Sequence, residues 1–359
     1  MLERAAWAVR LAFTLAVAAA AGWGCQRIGV PLPWMIGPLV LTALLSVAGA
    51  PVQASSRLRN AGQWAIGTVL GLYFTPSVLV AMLALAPALA LGALWALVLG
   101  DGFARWLRWS QRHEAPLHPA TAYFAAAIGG ASEMAVLAER HGGAVDTVAA
   151  AHSLRVLMVV VILPLALRGL GVQGLEDPPV AAGGIDAGGL AGLALATLAG
   201  ALALRRMNVP NPWVLGPLLV ALVITAAGLH LSAMPQAVGN AGQLFIGVAL
   251  GARFSPEFVH RAPRWLAAVA VGTLAMLALS ALFGLVLAWA FGLAPGNAVL
   301  GSSPGGIAEM AITAAVLHLG VPTVTAFHLL RYVVVLMATG PLYRWRFGAV
   351  ARVKPSSGP

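Results

Sequence analysis

The chain has 359 residues, 60% of them hydrophobic and only 9% charged, with a mean hydropathy of +0.89. Soluble domains average about 25% charged residues and disorder requires low hydrophobicity with high charge, so both classes are excluded and a polytopic helical membrane protein remains. The formal net charge of +10, carried almost entirely by arginine, would suggest nucleic acid on a soluble chain, but here most of the arginines fall in short loops, where they record orientation. A single cysteine, Cys25, excludes an intramolecular disulfide and argues against Cys-based metal sites.

In chain order, Arg4 and Arg10 precede an apolar run over 11–23. It reads as an uncleaved first span rather than a signal peptide, because it has a counterpart later in the chain. With that span taken as roughly 5–24, apolar segments follow at roughly 31–49, 60–74, 77–100, 119–139 and 143–168. A second set lies at roughly 185–204, 211–229, 238–252, 263–292, 297–318 and 321–343.

The two sets are copies. Val30-Pro31-Leu32-Pro33-Trp34-Met35-Ile36-Gly37-Pro38-Leu39 recurs as Val209-Pro210-Asn211-Pro212-Trp213-Val214-Leu215-Gly216-Pro217-Leu218, with seven of ten positions identical. Asn60-Ala61-Gly62-Gln63, followed by Gly67 and Gly71, recurs as Asn240-Ala241-Gly242-Gln243, followed by Gly247 and Gly251. Gly129-Gly130-x-x-Glu133-Met134 recurs as Gly305-Gly306-x-x-Glu309-Met310, and His152-x-Leu154-Arg155 as His328-x-Leu330-Arg331. The offsets are 179, 180, 176 and 176. The expected organisation is a first membrane repeat over 1–170, a linker over 171–184 around Glu176-Asp177-Pro178-Pro179, a second repeat over 185–350 and a tail over 351–359.

Cations follow segments two and four in the first copy (Arg57, Arg59; Arg105, Arg108, Arg112) but segments one and three in the second (Arg205, Arg206; Arg253, Arg261, Arg264). This shift by one crossing is the mark of inverted repeats. Inversion needs an odd number of crossings per copy, so one of six segments must fail to cross. The fifth is the candidate, with helix-breaking Gly129-Gly130 in one copy and Pro304-Gly305-Gly306 in the other. The expectation is two inverted repeats, each of about five spans plus one broken or re-entrant segment, with both termini cytoplasmic. Six true crossings per copy would give parallel repeats and put Arg205, Arg206, Arg253, Arg261 and Arg264 outside.

Glu133 and Glu309 sit three residues past the breaks, where a carboxylate can cap freed amides, carry a proton or coordinate a cation. They are the coupling candidates. His152 and Arg155 share a helix face. A helix beginning near Gly143 carries Arg155 about 16 Å along its axis, to the middle of a roughly 30 Å core, and Arg331 lies at similar depth. Each needs a partner carboxylate, exposed carbonyls or an anionic ligand. Either Glu133–Arg155 and Glu309–Arg331 are structural pairs, or Arg155 and Arg331, with His152 and His328, bind an anion. Asn60, Gln63, Asn240 and Gln243 are further candidates for reading a substrate, although their glycine-spaced helices also suit close packing. The Gly37-Pro38 and Gly216-Pro217 steps are either kinked entry turns or cavity-lining breaks. No nucleotide, metal or nucleophile motif is present, so neither enzyme activity, metal nor cofactor is expected.

The motif set V-P-x-P-W-x-x-G-P-L, N-A-G-Q, G-G-x-x-E-M and H-x-x-R, twice over nearly the whole chain, resembles the AbrB-type duplicated bacterial membrane protein family. The labels carried by that family run from transition-state regulator to ammonia monooxygenase to transporter. The resemblance implies a multi-pass protein of the bacterial inner membrane and brings no agreed site residues. No segment outside the membrane is long enough for a DNA-reading element, so no direct nucleic-acid partner is expected. A monooxygenase would need clustered ligands, for which only Glu133, His152, Glu309 and His328 could converge. The expected function is secondary transport of a small, anionic organic solute, proton- or cation-coupled. The alternative is a membrane-embedded regulator acting indirectly on gene expression. The expected partners are the lipid bilayer and the solute, and a homo-oligomer is left open.

Overall fold

A computed structural model describes residues 2–112, 117–174, 184–254, 256 and 263–348. The centre of the expected linker (175–183), the expected tail (351–359), His113, His260 and the loop arginine Arg261 lie outside them. Among the described residues every regular element is a helix. The first copy contributes α1 (Leu2–Arg27), α2 (Pro33–Val47), α3 (Ser56–Gly71), α4 (Pro76–Ala84), α5 (Ala86–Ser110), α6 (Pro119–Ala126), α7 (Ala131–Arg140) and α8 (Val145–Gly169). The second contributes α9 (Ala187–Arg206), α10 (Pro212–Ala226), α11 (Gln236–Gly251), α12 (Pro263–Phe291), α13 (Pro295–Ser302), α14 (Ile307–Val316) and α15 (Val321–Phe347).

Six helices, α1, α5, α8, α9, α12 and α15, are long and apolar enough to cross a membrane. By contrast, the 15 residues of α2 and of α10 extend only about 22 Å. The fourth segment differs from the sequence expectation in the first copy. Instead of one run over 77–100, α4 ends at Ala84, sharply bent by 83° from α3, and α5 carries on to Ser110. Pro87 at the start of α5 has no amide for the preceding turn, so the helix restarts there.

Proline opens most of the short helices in their first turn, where its missing amide costs nothing. The residue ahead of the Pro33 and Pro212 turns is left-handed in both copies, Leu32 at φ 50° and Asn211 at φ 54°. Asparagine tolerates that region, and Leu32 is held in it with its side chain fully buried. α2 and α10 then run unbroken through Gly37-Pro38 and Gly216-Pro217. The glycines make room for a neighbour: a Cβ at Gly37 would lie 2.7 Å from Ala21 O in α1, and one at Gly216 would lie 2.6 Å from Ala201 Cα in α9.

The two copies are interlaced. α3 packs along α10 and α11 along α2, and α3 and α11 also cross each other. The close approaches repeat in kind. A Cβ at Gly67 would stand 2.5 Å from Val214 O, and its counterpart at Gly247 would stand 2.7 Å from Met35 O. At the α3–α11 crossing, a Cβ at Gly62 would lie 2.6 Å from Gly242 O and one at Gly242 would lie 3.1 Å from Gly62 O. Lipid tails are as apolar as leucine, so small residues that allow backbone contact do the work that hydrophobic burial does in water. Farther out, α5 packs on α15 and α12 on α8. The largest buried cluster among the described residues gathers Leu32, Met35, Leu39, Leu70, Leu218 and Ile246 with Val159, Leu300 and Met310.

Candidate functional site

The fifth segment is broken in both copies. α6 ends at Ala126 and α7 begins at Ala131; α13 ends at Ser302 and α14 begins at Ile307. The motif G-G-x-x-E-M has a steric reason. A Cβ at Gly129 would lie 2.8 Å from Met134 Cε, and one at Gly305 would lie 2.5 Å from Met310 Cγ. A Cβ at Gly130 or Gly306 would collide with the Oε2 of Glu133 or Glu309. Both glutamates therefore fold back over the glycine that caps their own helix. Glu133 also accepts a hydrogen bond from Tyr332 Oη of the other copy at 3.3 Å.

The buried cations serve the other end of each break. His152 Nε2 donates to Phe124 O at 2.9 Å, which leaves Nδ1 to accept from Arg155 Nη2 at 2.9 Å. Arg155 Nη1 donates to Ala126 O and Ala127 O at 3.3 and 3.1 Å. In the second copy His328 Nε2 donates to Leu300 O at 3.0 Å, and Arg331 donates to Ser303 O through Nη1 and to Gly305 O through Nη2. The half-helix α6 or α13 thus ends against a guanidinium, which satisfies carbonyls orphaned by the break.

The predicted Glu133–Arg155 and Glu309–Arg331 ion pairs are not formed. Among the described residues, neither arginine has a carboxylate within 4.0 Å. The physical reason is local: the break turns free carbonyls toward each guanidinium, while each carboxylate folds back over the N-cap glycine of the following half-helix.

Both breaks open onto one cavity of about 360 Å³. The first copy supplies Arg59, Asn60 and Gln63 from α3, residues 128–133 from the break and α7, and His152, Arg155 and Val156 from α8. The second supplies residues 211–214 at the start of α10, Ile246, Leu250 and Arg253 from the end of α11, residues 304–309, and Arg331 and Tyr332 from α15. Asn60, with its amide turned so that both ends are satisfied, donates to Ser56 O at 3.2 Å and accepts from Trp213 Nε1 at 3.1 Å.

The family profile described as "AbrB: Transition state regulatory protein AbrB" matches residues 34–347, and those residues include every element that lines the cavity. The chain belongs to the AbrB family. Among its AbrB relatives, "Uncharacterized protein YhjN" of Bacillus subtilis (strain 168) is 26% identical, covering 92% of this chain and 91% of that protein. "Putative regulator AbrB" of Escherichia coli (strain K12) is 25% identical, covering 89% of this chain and 90% of that protein.

Of the residues singled out in this AbrB-family chain, Asn60, Gln63, Gly129, Gly130, Glu133, His152, Arg155, Pro304, Gly305, Gly306, Glu309 and Arg331 meet at the cavity. His328, Asn240 and Gln243 do not. His328 is fully buried behind the α13 break, and Gln243 is buried at the α3–α11 crossing. His328 is thereby set apart from Glu133, His152 and Glu309, which all line the cavity. No group of three His, Cys, Asp or Glu side chains suited to a metal is present among the described residues. Sequence reasoning missed Arg59, Arg253, Trp213 and Tyr332. Arg59 and Arg253 looked like loop cations that set orientation, and Tyr332 adjoins Arg331 with no counterpart in the first copy, where Val156 stands. The available signal was asymmetry: Arg59 and Arg253 occupy positions that are Gly239 and Tyr73 in the opposite copies.

Proposed function

We propose that this AbrB-family protein is a secondary transporter of a small, anionic organic solute, built as two inverted repeats in the bacterial inner membrane with both termini cytoplasmic. The observation that carries the reading is the single cavity bordered by both broken segments. Broken helices at membrane depth are tolerated where they line a cavity or are buried in protein, and transporters with inverted repeats bind at such breaks between the repeats. The lining carries four arginines and two glutamates. The N-terminal ends of α7 and α14 add partial positive charge. The surroundings suit an anion, and the cavity volume suits a small one. Glu133 and Glu309 remain the coupling residues, because each half-buried carboxylate lies over the N-cap glycine of its helix at the cavity and is free of an ion pair with Arg155 or Arg331.

Reconstitution tests this directly. Purified protein in liposomes should move an organic anion without any partner protein. Glu133→Gln and Glu309→Gln should fold and exchange solute, while gradient-driven uptake fails in at least one of them. Normal uptake in the double Gln variant would reduce both glutamates to caps. Absence of flux and of ligand-induced thermal stabilisation across a broad panel of organic acids would favour the second reading, a membrane-embedded regulator. That reading rests on the regulator description of the family and on the name of the Escherichia coli relative. The inverted topology is tested by cysteine labelling in a Cys25→Ala background. Residues beside Arg57, Arg108 and Arg206 should all react from the cytoplasm, and periplasmic reaction beside Arg206 would restore parallel repeats.

A further inference from the structure

The four arginines of the cavity are not equivalent. Arg155 and Arg331 are occupied by the carbonyls of the breaks. Arg59 and Arg253 are not: among the described residues neither guanidinium has a hydrogen-bond or ion-pair partner, and Arg59 Nε is buried with none. The charged neighbours of Arg253 are Arg59 and Glu309, so two guanidiniums share one wall of the cavity with a single carboxylate near them. Arg59 also lies one turn into α3, whose first turn contains Arg57 and no acid. A cation there opposes the helix dipole and is destabilising unless an anion compensates it. Two like charges held together in a half-buried cavity, one of them against a helix dipole, form a site that is electrostatically incomplete without a ligand.

The number of missing charges follows from the lining. Four arginines against two glutamates leave a formal excess of two positive charges, with His152 neutral because its Nδ1 accepts from Arg155. We infer that the solute is a compact organic dianion with two carboxylates, one of them held by Arg59 and Arg253. The second carboxylate completes neutrality against the charge that Arg155 and Arg331 retain at the breaks, since the helix starts at Gly130 and Gly306 are already covered by Glu133 and Glu309. A guanidinium fork matches a carboxylate in geometry, and two of them discriminate against a monoanion by the full loss of one charge-assisted contact. This inference rests on the transporter reading only for the word solute, because the binding site itself can be tested without flux.

The test uses the full-length protein in nanodiscs and isothermal titration with succinate, butyrate and sulfate. Succinate should bind, with at least a tenfold advantage over butyrate and over sulfate. Arg59→Gln and Arg253→Gln should each weaken succinate at least tenfold, with the size-exclusion profile unchanged. Arg253→Lys, which keeps the charge but loses the fork, should fall between wild type and Arg253→Gln and serves as the check if either Gln variant is poorly folded. Equal affinity for butyrate and succinate, preference for sulfate, binding unchanged in the two Gln variants, or no binding of any of the three would each overturn the proposal. Parallel liposome assays separate the two readings. Succinate binding without flux would leave the dianion site standing and remove transport, whereas flux of monocarboxylates alone would leave transport standing and remove the dianion.

Discussion

The two broken segments carry the same motif and solve the same problem with different bonds. In both copies the histidine at the eighth residue of the helix after the broken segment donates its Nε2 proton to a carbonyl of the first half-helix. In both, an arginine one turn later closes the break. Arg155, however, spends Nη2 on His152 Nδ1, whereas Arg331 puts both terminal nitrogens on carbonyls, and His328 Nδ1 is buried without a partner among the described residues. The constant requirement is a fixed donor for carbonyls that have lost their helical partners. The same divergence appears one layer away. Asn60 and Gln63 line the cavity, while Asn240 and Gln243, in the same N-A-G-Q motif, are set away from it. A duplicated motif therefore fixes the backbone in both copies but assigns the cavity to one set of side chains.

The sharpest way to break this comparison is at the helix crossings, where the copies match best. Gly67→Val and Gly247→Val should both abolish a monodisperse folded protein, because each added side chain meets a backbone carbonyl at a distance no Cβ adopts; overpacking of this kind costs upward of about 3 kcal/mol. If one variant retains a wild-type melting profile, the two crossings are not equivalent. Next come the arginines. Arg155→Gln and Arg331→Gln should each lower thermal stability by about 1–3 kcal/mol per orphaned carbonyl. Adding Glu133→Gln or Glu309→Gln in the same copy should not restore it, because the carboxylate is not the partner of the arginine. Rescue by the double substitution would reinstate the ion-pair reading.

A third test concerns access. In a Cys25→Ala background, Gln63→Cys should react with a water-soluble thiol reagent at least tenfold faster than Gln243→Cys, since Gln63 lines the cavity and Gln243 is 9% exposed at a helix crossing. Equal rates would show that both amide layers reach water. The smallest effect is expected at the solvent-accessible ion pairs of Asp101, which binds Arg105 within α5 at 2.6 Å and also Arg346 of α15. Asp101→Asn should change stability by less than about 1 kcal/mol. A larger loss in a melting curve would give this contact a structural weight that its exposure does not predict.

Much of this architecture was legible in the residue order. Composition set the class, collinear motifs at offsets of 176–180 revealed the duplication, and Gly129-Gly130 and Pro304-Gly305-Gly306 marked the breaks. Those features depend on local chemistry: proline lacks a donor, glycine lacks a Cβ, and a charge in an apolar run needs compensation wherever the chain carries it. The bend between α3 and α4 and the restart at Pro87 were not legible, because the apolar pattern continues across both.

Sequence by itself determined that Arg155 and Arg331 must be compensated at depth, but it could not say by what. Tertiary structure decided for carbonyls over carboxylates, since only the folded break shows which polar groups lie within reach of each guanidinium. It also moved Arg59 and Arg253 from the loops into the cavity and removed His328, Asn240 and Gln243 from it. Those assignments depend on how α3 crosses α10 and how α11 crosses α2, contacts between residues about 150 and about 210 positions apart that no local pattern encodes.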